Sequence, residues 1–221
     1  SSYLDLVAPD WSGIEVFEKE ELVAVMPLLV RRKFGVSVVL QPDFVQYWGP
    51  CWMERDFGKA HRALSWKRKV VQAIVGALPP EVRWWRFACA PEFNYALPFH
   101  WAGFDLRTRY TYLLKLDGDA AEMRSGLSKN TKYELSKAKE LVVNSANDVS
   151  GLLSLVDKNA AVGKFLLNEG QQKMLQLLAQ DLMQHKEGFV LEARNSAGQL
   201  SAAGFFVVFG NRTIYLASAQ D

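Results

Sequence analysis

The densest run of reactive charge in the sequence is "RSGLSKNTKYELSKAKE", Arg124 to Glu140. It gathers Arg124, Lys129, Lys132, Lys137 and Lys139 against only Glu134 and Glu140, in a chain whose 26 basic and 24 acidic residues nearly cancel. At helical spacing Lys129, Lys132, Ser136 and Lys139 fall on one stripe, with Tyr133 beside them. Such a stripe is either an electrostatic clamp for a phosphate or carboxylate, or a solvated helix face. Tyr133 either stacks on or hydrogen-bonds a ligand, or packs at the edge of a core. Glu192, on a strand, is a candidate general base; the alternative is an outward-facing strand glutamate. His61, His100 and His185 show no metal-ligand spacing, and no H-E-x-x-H or G-x-S-x-G run occurs. Neither a metal nor a covalent nucleophile is expected.

The elements that must hold these groups follow from the hydrophobic pattern. "GIEVFEKEELVAVMPLLVRRKFGVSVVLQP", from Gly13, predicts a three-strand antiparallel meander with turns at Lys19–Glu21 and "RRKFG". An aromatic loop, "QPDFVQYWGPCW", leads to an amphipathic helix from about Gly58 to Leu78, closed by Pro79 and Pro80. "VRWWRFACA" reads as a strand, "PEFNYALPFHWAG" as a short helix, and "FDLRTRYTYLLKL" as one long strand or a strand pair. The second half opens on helices. Leu127, Thr131, Leu135, Ala138 and Val142 predict the buried side of the lysine-rich helix, and Val149, Leu152, Leu153, Val156 and Ala160 that of the next, capped by Asp148. A third helix spans about Glu169 to Gln184 on Leu175, Leu178 and Leu182. Three strands with turns at "NSAG" and "FGN" close the chain.

The totals bound the function. The 221 residues make one large domain or two small ones, and 49% hydrophobic with 23% charged residues is the profile of a soluble globular protein. A net charge of +2 argues against a general nucleic-acid binder. Cys51 and Cys89, both among aromatics, read as buried free thiols and point to a reducing, cytoplasmic setting. No apolar run approaches the roughly 20 residues that span a bilayer.

The stretch "GIEVFEKEELVAVMPLLVRRKFG" is echoed by "GFVLEARNSAGQLSAAGFFVVFG" about 175 residues on, each passing strand, polar turn, long apolar strand and a Phe-Gly turn. The shared order predicts a structural duplication, with units at 1–108 and 109–221.

The order of elements in the second half resembles the opening two-thirds of a GCN5-related N-acetyltransferase (GNAT) domain. The first half resembles the later part of the same unit. "NYALPFHWAGF" is similar to that fold's late segment, although His100 stands where a Tyr is usual, so the family's proton-donating Tyr is not carried over. Two such units in tandem resemble the FemABX-like acyltransferases, and more closely the BioF2-like acetyltransferase domain. The matching pieces are Thr111, Leu114 and Leu116 before the Lys129–Lys139 helix, Gly198 to Phe206 with Ile214 to Ala219, and Gln41, Pro42, Phe44, Gln46 and Gly49 of the first unit.

The resemblance implies an α/β (α+β) fold of two tandem GNAT-like units with mixed, mainly antiparallel sheets. It implies acyl transfer from acyl-CoA or acetyl-CoA to an amine of a small molecule or cell-envelope precursor. The alternatives are an aminoacyl-tRNA donor, as in peptidoglycan-bridge enzymes, or a non-catalytic module that keeps the fold. It further implies that Leu216, Ala217 and Ser218 line the pantetheine arm of the cofactor, and that Gln46 and Tyr47 join Lys129, Lys132 and Tyr133 around the substrate. The Gly-rich pyrophosphate turn of such folds would begin where this sequence stops, and the resemblance therefore suggests an incomplete unit at each end.

Overall fold

A computed structural model of the chain describes residues 2–116, 118–161 and 167–221. The architecture is α+β, with helices and both mixed and antiparallel sheets. The chain divides into two compact units, Ser1–Thr108 and Arg109–Asp221.

In the first unit a short helix, α1 (Ser2–Val7), precedes β1 (Ser12–Glu18) and β2 (Glu21–Leu28), an antiparallel hairpin whose turn holds Lys19 and Glu20 at positive φ. Then come β3 (Val30–Lys33), β4 (Val36–Leu40), the two-residue β5 (Cys51–Trp52), α2 (Ala60–Gly76), β6 (Val82–Arg86) and α3 (Leu97–Trp101). Trp66, Val70, Val71 and Ile74 recur along one side of α2, and that side is buried against Ile14, Val23, Met26 and Phe99.

The expected single meander is not what forms. The apolar run from Leu22 breaks at Leu29, so β2 joins a β1-β2-β5 sheet and β3 joins a β3-β4-β6 sheet. Strand β6 lies parallel to β4, which a crossover through α2 makes possible. The expected long strand at "FDLRTRYTYLLKL" is absent too. Residues 104–116 form no strand, and Tyr110, Tyr112 and Leu114 stand 90%, 100% and 71% exposed. The side-chain pattern there suits a strand, but a strand also requires a partner, and none pairs with this segment among the described residues.

The second unit begins with α4 (Ala120–Ser125), capped by Asp119, and α5 (Lys129–Lys137), capped by Ser128. A 3-10 turn (Ala138–Glu140) leads into β7 (Val142–Ala146). Next are α6 (Ser150–Ala161) and α7 (Glu169–Gln184), the latter with a reciprocal capping box between Asn168 and Gln171. Strands β8 (Gly188–Arg194), β9 (Leu200–Phe209) and β10 (Arg212–Gln220) complete a fully antiparallel sheet in the order β10-β9-β8-β7.

Helix α6 packs on β9 and β10, and α7 on β8. Their Leu152, Leu155, Val156, Leu175, Leu178 and Leu182 close over Val190, Phe205 and Val207 to form the core of this unit. The buried face expected for the lysine-rich helix does not exist. No residue of α5 is buried, Leu135 is 44% exposed, and Val142 is the first residue of β7 rather than the last of a helix. No helix of the described residues is long and apolar enough to cross a membrane.

Candidate functional site

Successive residues of a strand face opposite sides of a sheet, so the second unit's sheet has one side under α6 and α7 and one side without them. Val190, Phe205 and Val207 point into the core; Phe189, Phe206 and Tyr215 stand on the opposite side. There the Phe189 and Phe206 rings stack at 5.1 Å and 10°, and Phe206 meets Tyr215 at 5.2 Å. The rings lean over Gly204, where a Cβ would come within 3.2 Å of both the Phe206 and Tyr215 rings. Any larger residue would lift them, so the missing side chain is what lets them lie low.

Beside this aromatic row lies a groove of about 570 Å³, within the usual range for small-molecule sites. Val143 and Leu191 form its aliphatic side, Ala193, Ala202 and Gly204 its floor, and Phe206 and Tyr215 its aromatic wall. Ser218, Gln220 and Asn159 supply polar groups at the other end, and Glu192 also lines the groove. The Asn159 side chain donates from Nδ2 to the Gln220 carbonyl at 3.1 Å, which ties α6 to the end of β10.

Strand β10 lies at the edge of its sheet. Its pairing with β9 runs Tyr215 opposite Phe206 and then Ala217 opposite Phe205, so Leu216 is an extra residue with no counterpart. Such a bulge leaves one residue out of the ladder and sharpens the local twist. Of the three expected cofactor-lining positions, Ser218 lines the groove, whereas Leu216 and Ala217 are half-buried at the bulge behind it. Ala217 lies opposite Phe205 on the helix-covered side, so only its backbone can serve the strand edge.

Glu192 is not outward-facing: it lines the groove and is packed against α6. A Cβ placed on Gly151 would sit 2.0 Å from its Oε1, which puts the carboxylate against the first turn of α6. Arg194 Nη2 donates to Oε2 at 2.6 Å, and the Glu192 side chain is only 13% exposed. The carboxylate thus lies between the N-terminus of α6 and the Arg194 guanidinium. Its role is to fasten α6 to β8.

The expected substrate residues are carried by both units. Lys129, Lys132 and Tyr133 are on α5 and do not line the groove. Lys132 is occupied locally, donating from Nζ to the Ser125 carbonyl at 2.7 Å. Tyr133 is 58% exposed with Lys137 Nζ 4.2 Å from its ring centroid, and Lys137 also pairs with Glu134 at 3.1 Å. Lys139 leaves the expected stripe, because the α-helix ends at Lys137 and Lys139 sits in the 3-10 turn. The actual four-residue series along α5 is Lys129, Tyr133, Lys137.

Gln46 and Tyr47 belong to the first unit, in the loop between β4 and β5, with Gln46 exposed and Tyr47 half-buried. Gln41 organises that loop. Its side chain donates to the Val45 carbonyl and accepts from the Ala88 N–H at 2.9 Å. The Trp48 N–H then bonds the Ala88 carbonyl at 2.8 Å, bringing Gly49 against Cys89. Burial pushes the Cys89 thiol up to about 12.

Sequence reasoning missed the apolar half of the groove. Its available signal was the Ala-Ala-Gly triplet at 202–204 inside an otherwise bulky strand, which marks a site of close approach. Compared with known proteins, the chain matches no protein-family model and no curated protein.

Proposed function

We propose that the chain is an N-acyltransferase built from two tandem GNAT-like units, with an acyl-CoA thioester as donor. The acceptor is an amine of a small molecule or cell-envelope precursor. One observation carries this reading: β10 is an edge strand with an extra residue at Leu216, beside a groove that ends in Ser218 and Gln220. An edge strand offers backbone donors and acceptors to an extended ligand, as a further strand would. The amide-bearing pantetheine arm has the shape and hydrogen-bonding groups for that edge. The bulge provides a backbone group not committed to β9, suited to the oxyanion that develops when a thioester carbonyl is attacked.

The chemistry balances without a metal or covalent intermediate. The amine nitrogen attacks the carbonyl carbon, the C–N bond forms as the C–S bond breaks, and the proton lost by the amine ends on the departing thiolate. Holding donor and amine together supplies most of the acceleration. Lys129 and Lys139, whose side chains have no hydrogen-bond or ion-pair partner among the described residues, are the cations available to the donor's phosphates.

Calorimetric titration of the chain with coenzyme A and acetyl-CoA tests the reading, with thermal shift in support. A donor at a hundred times its dissociation constant should add about 2.7 kcal/mol of apparent stability. Lys129→Glu with Lys139→Glu should weaken that binding and leave the unliganded melting temperature nearly unchanged, since neither residue is buried. Failure of both compounds to bind refutes the proposal.

A further inference from the structure

The groove is much larger than an acetyl group needs. An acetyl occupies roughly the space of two waters, ~60 Å³ at ~30 Å³ each, against a groove of about 570 Å³. From Val143 on β7 to Tyr215 on β10 it crosses three inter-strand steps, about 14 Å. Its polar groups, Ser218, Gln220 and Asn159, are gathered at one end, where β10 runs out along the sheet edge. Apart from Glu192, whose carboxylate is held by Arg194, the remainder is aliphatic or aromatic, over a floor of Ala193, Ala202 and Gly204. A polar mouth at a strand edge and a long, low apolar channel leading away from it describe a receptacle for a flexible hydrocarbon chain carried on a polar head.

We propose that this groove takes the acyl chain of the donor, and that the chain is a medium-length aliphatic one rather than acetyl. This rests on the reading of β10 as the donor strand. The thioester crosses β10 near the Leu216 bulge, and the hydrocarbon tail lies across β9 and β8 toward Val143. The small floor sets the depth of the channel. The Phe206 and Tyr215 rings, held low by Gly204 and tilted 35° to each other, form an aromatic wall at the β9–β10 end that suits a methylene chain. The specificity-determining residues are Ala193 and Ala202, which face each other across the β8–β9 ladder.

The test compares coenzyme A, acetyl-CoA, hexanoyl-CoA and decanoyl-CoA by calorimetric titration of the full chain. Each fully buried methylene is worth about fourfold in affinity, of which only part is realised on binding. The expected result is at least a tenfold tightening from acetyl-CoA to hexanoyl-CoA, with decanoyl-CoA as tight or tighter. Ala202→Leu should erase that gradient by filling the floor, and Ala202→Val should reduce it, with circular dichroism showing each variant folded. Equal affinity for all four compounds overturns the chain-length proposal and leaves the donor reading standing. Failure of every compound, coenzyme A included, overturns the donor reading itself. A gradient that survives Ala202→Leu in a folded protein places the chain elsewhere and overturns the assignment of the groove.

Discussion

Replacing Gly151 by alanine should destabilise the second unit, although glycine-to-alanine changes in helices ordinarily do the reverse. Gly151 is in the first turn of α6, where alanine is favoured by up to about 1 kcal/mol. Against that, its new Cβ would lie 2.0 Å from Glu192 Oε1, 2.9 Å from the carboxyl carbon and 3.1 Å from Leu200 Cδ2. The carboxylate must swing aside, which breaks the 2.6 Å bond from Arg194. A charge-assisted bond contributes about 1.5–3 kcal/mol when sheltered. Arg194 is 44% exposed, so the screened loss is nearer about 1 kcal/mol. Crowding Leu200 adds roughly another 1 kcal/mol. The net expectation is a loss of about 1 kcal/mol, or on the order of 4 °C in melting temperature for a unit of this size. In a Glu192→Ala background the main obstacle is gone and Gly151→Ala should be neutral or stabilising, a coupling of roughly 1–2 kcal/mol. Urea unfolding followed by far-ultraviolet circular dichroism measures the cycle. All seven tryptophans lie within residues 1–108, so their fluorescence follows the other unit and separates its unfolding from that of the second. If Gly151→Ala stabilises the otherwise unchanged protein, the account of Glu192 as the fastening of α6 is wrong.

Three further outcomes follow from the same structure. Gly49→Ala should cost the first unit about 1–3 kcal/mol, read by tryptophan fluorescence, because the added Cβ would lie 2.9 Å from Cys89 Cα; Cys89→Ala should not restore it, since that backbone atom stays. The Cys89 thiol ionises near 9 when unfolded and near 12 when folded. Above pH 9 the unfolded chain therefore releases a proton that the folded one keeps, and stability of the first unit should fall between pH 9 and about 12; Cys89→Ala should flatten much of that decline in pH-dependent urea midpoints. Asp148→Ala should cost about 1 kcal/mol by removing the 2.8 Å cap on the Ser150 N–H. Because the Ser150 hydroxyl and, after it, the Ser150 N–H hold the Asp148 carboxyl below its usual range, the contribution should be present above the ordinary carboxylate pKa and fade as the pH falls through the lowered one.

Local signals in the sequence located most of the helices and the final three strands. Glu169–Gln184 is bounded as its pattern suggests, because Asn168 and Gln171 are a self-contained start signal and Leu175, Leu178 and Leu182 a self-contained stripe. What escaped was decided by distant partners. Val142–Ala146, with its polar centre, became a strand because β8 was there to pair with it. "RYTYLLKL", with far better strand composition, found no such neighbour among the described residues. The continuous apolar run from Leu22 gave no hint of a break at Leu29, since the break comes from two sheets claiming its two ends. At the candidate site, the Leu216–Ser218 run was singled out by the family resemblance alone, and of its three residues Ser218 lines the groove. The groove itself was not legible, because it needs the facing of Ala193 with Ala202, and that register is a property of pairing. The fate of Glu192 was hidden for the same reason: a glycine some forty positions earlier makes its space.

The stretch from Asp105 to Leu116 also has a practical meaning. Its backbone is outside any strand or helix, its aromatic and basic side chains are in solvent, and it straddles the join at Thr108 and Arg109. Proteases cleave extended, accessible chain, and trypsin and chymotrypsin would find Arg107, Arg109, Tyr110 and Tyr112 in quick succession there. Brief digestion thus offers a natural scissor point, from which each half could be recovered and asked whether it holds its shape alone.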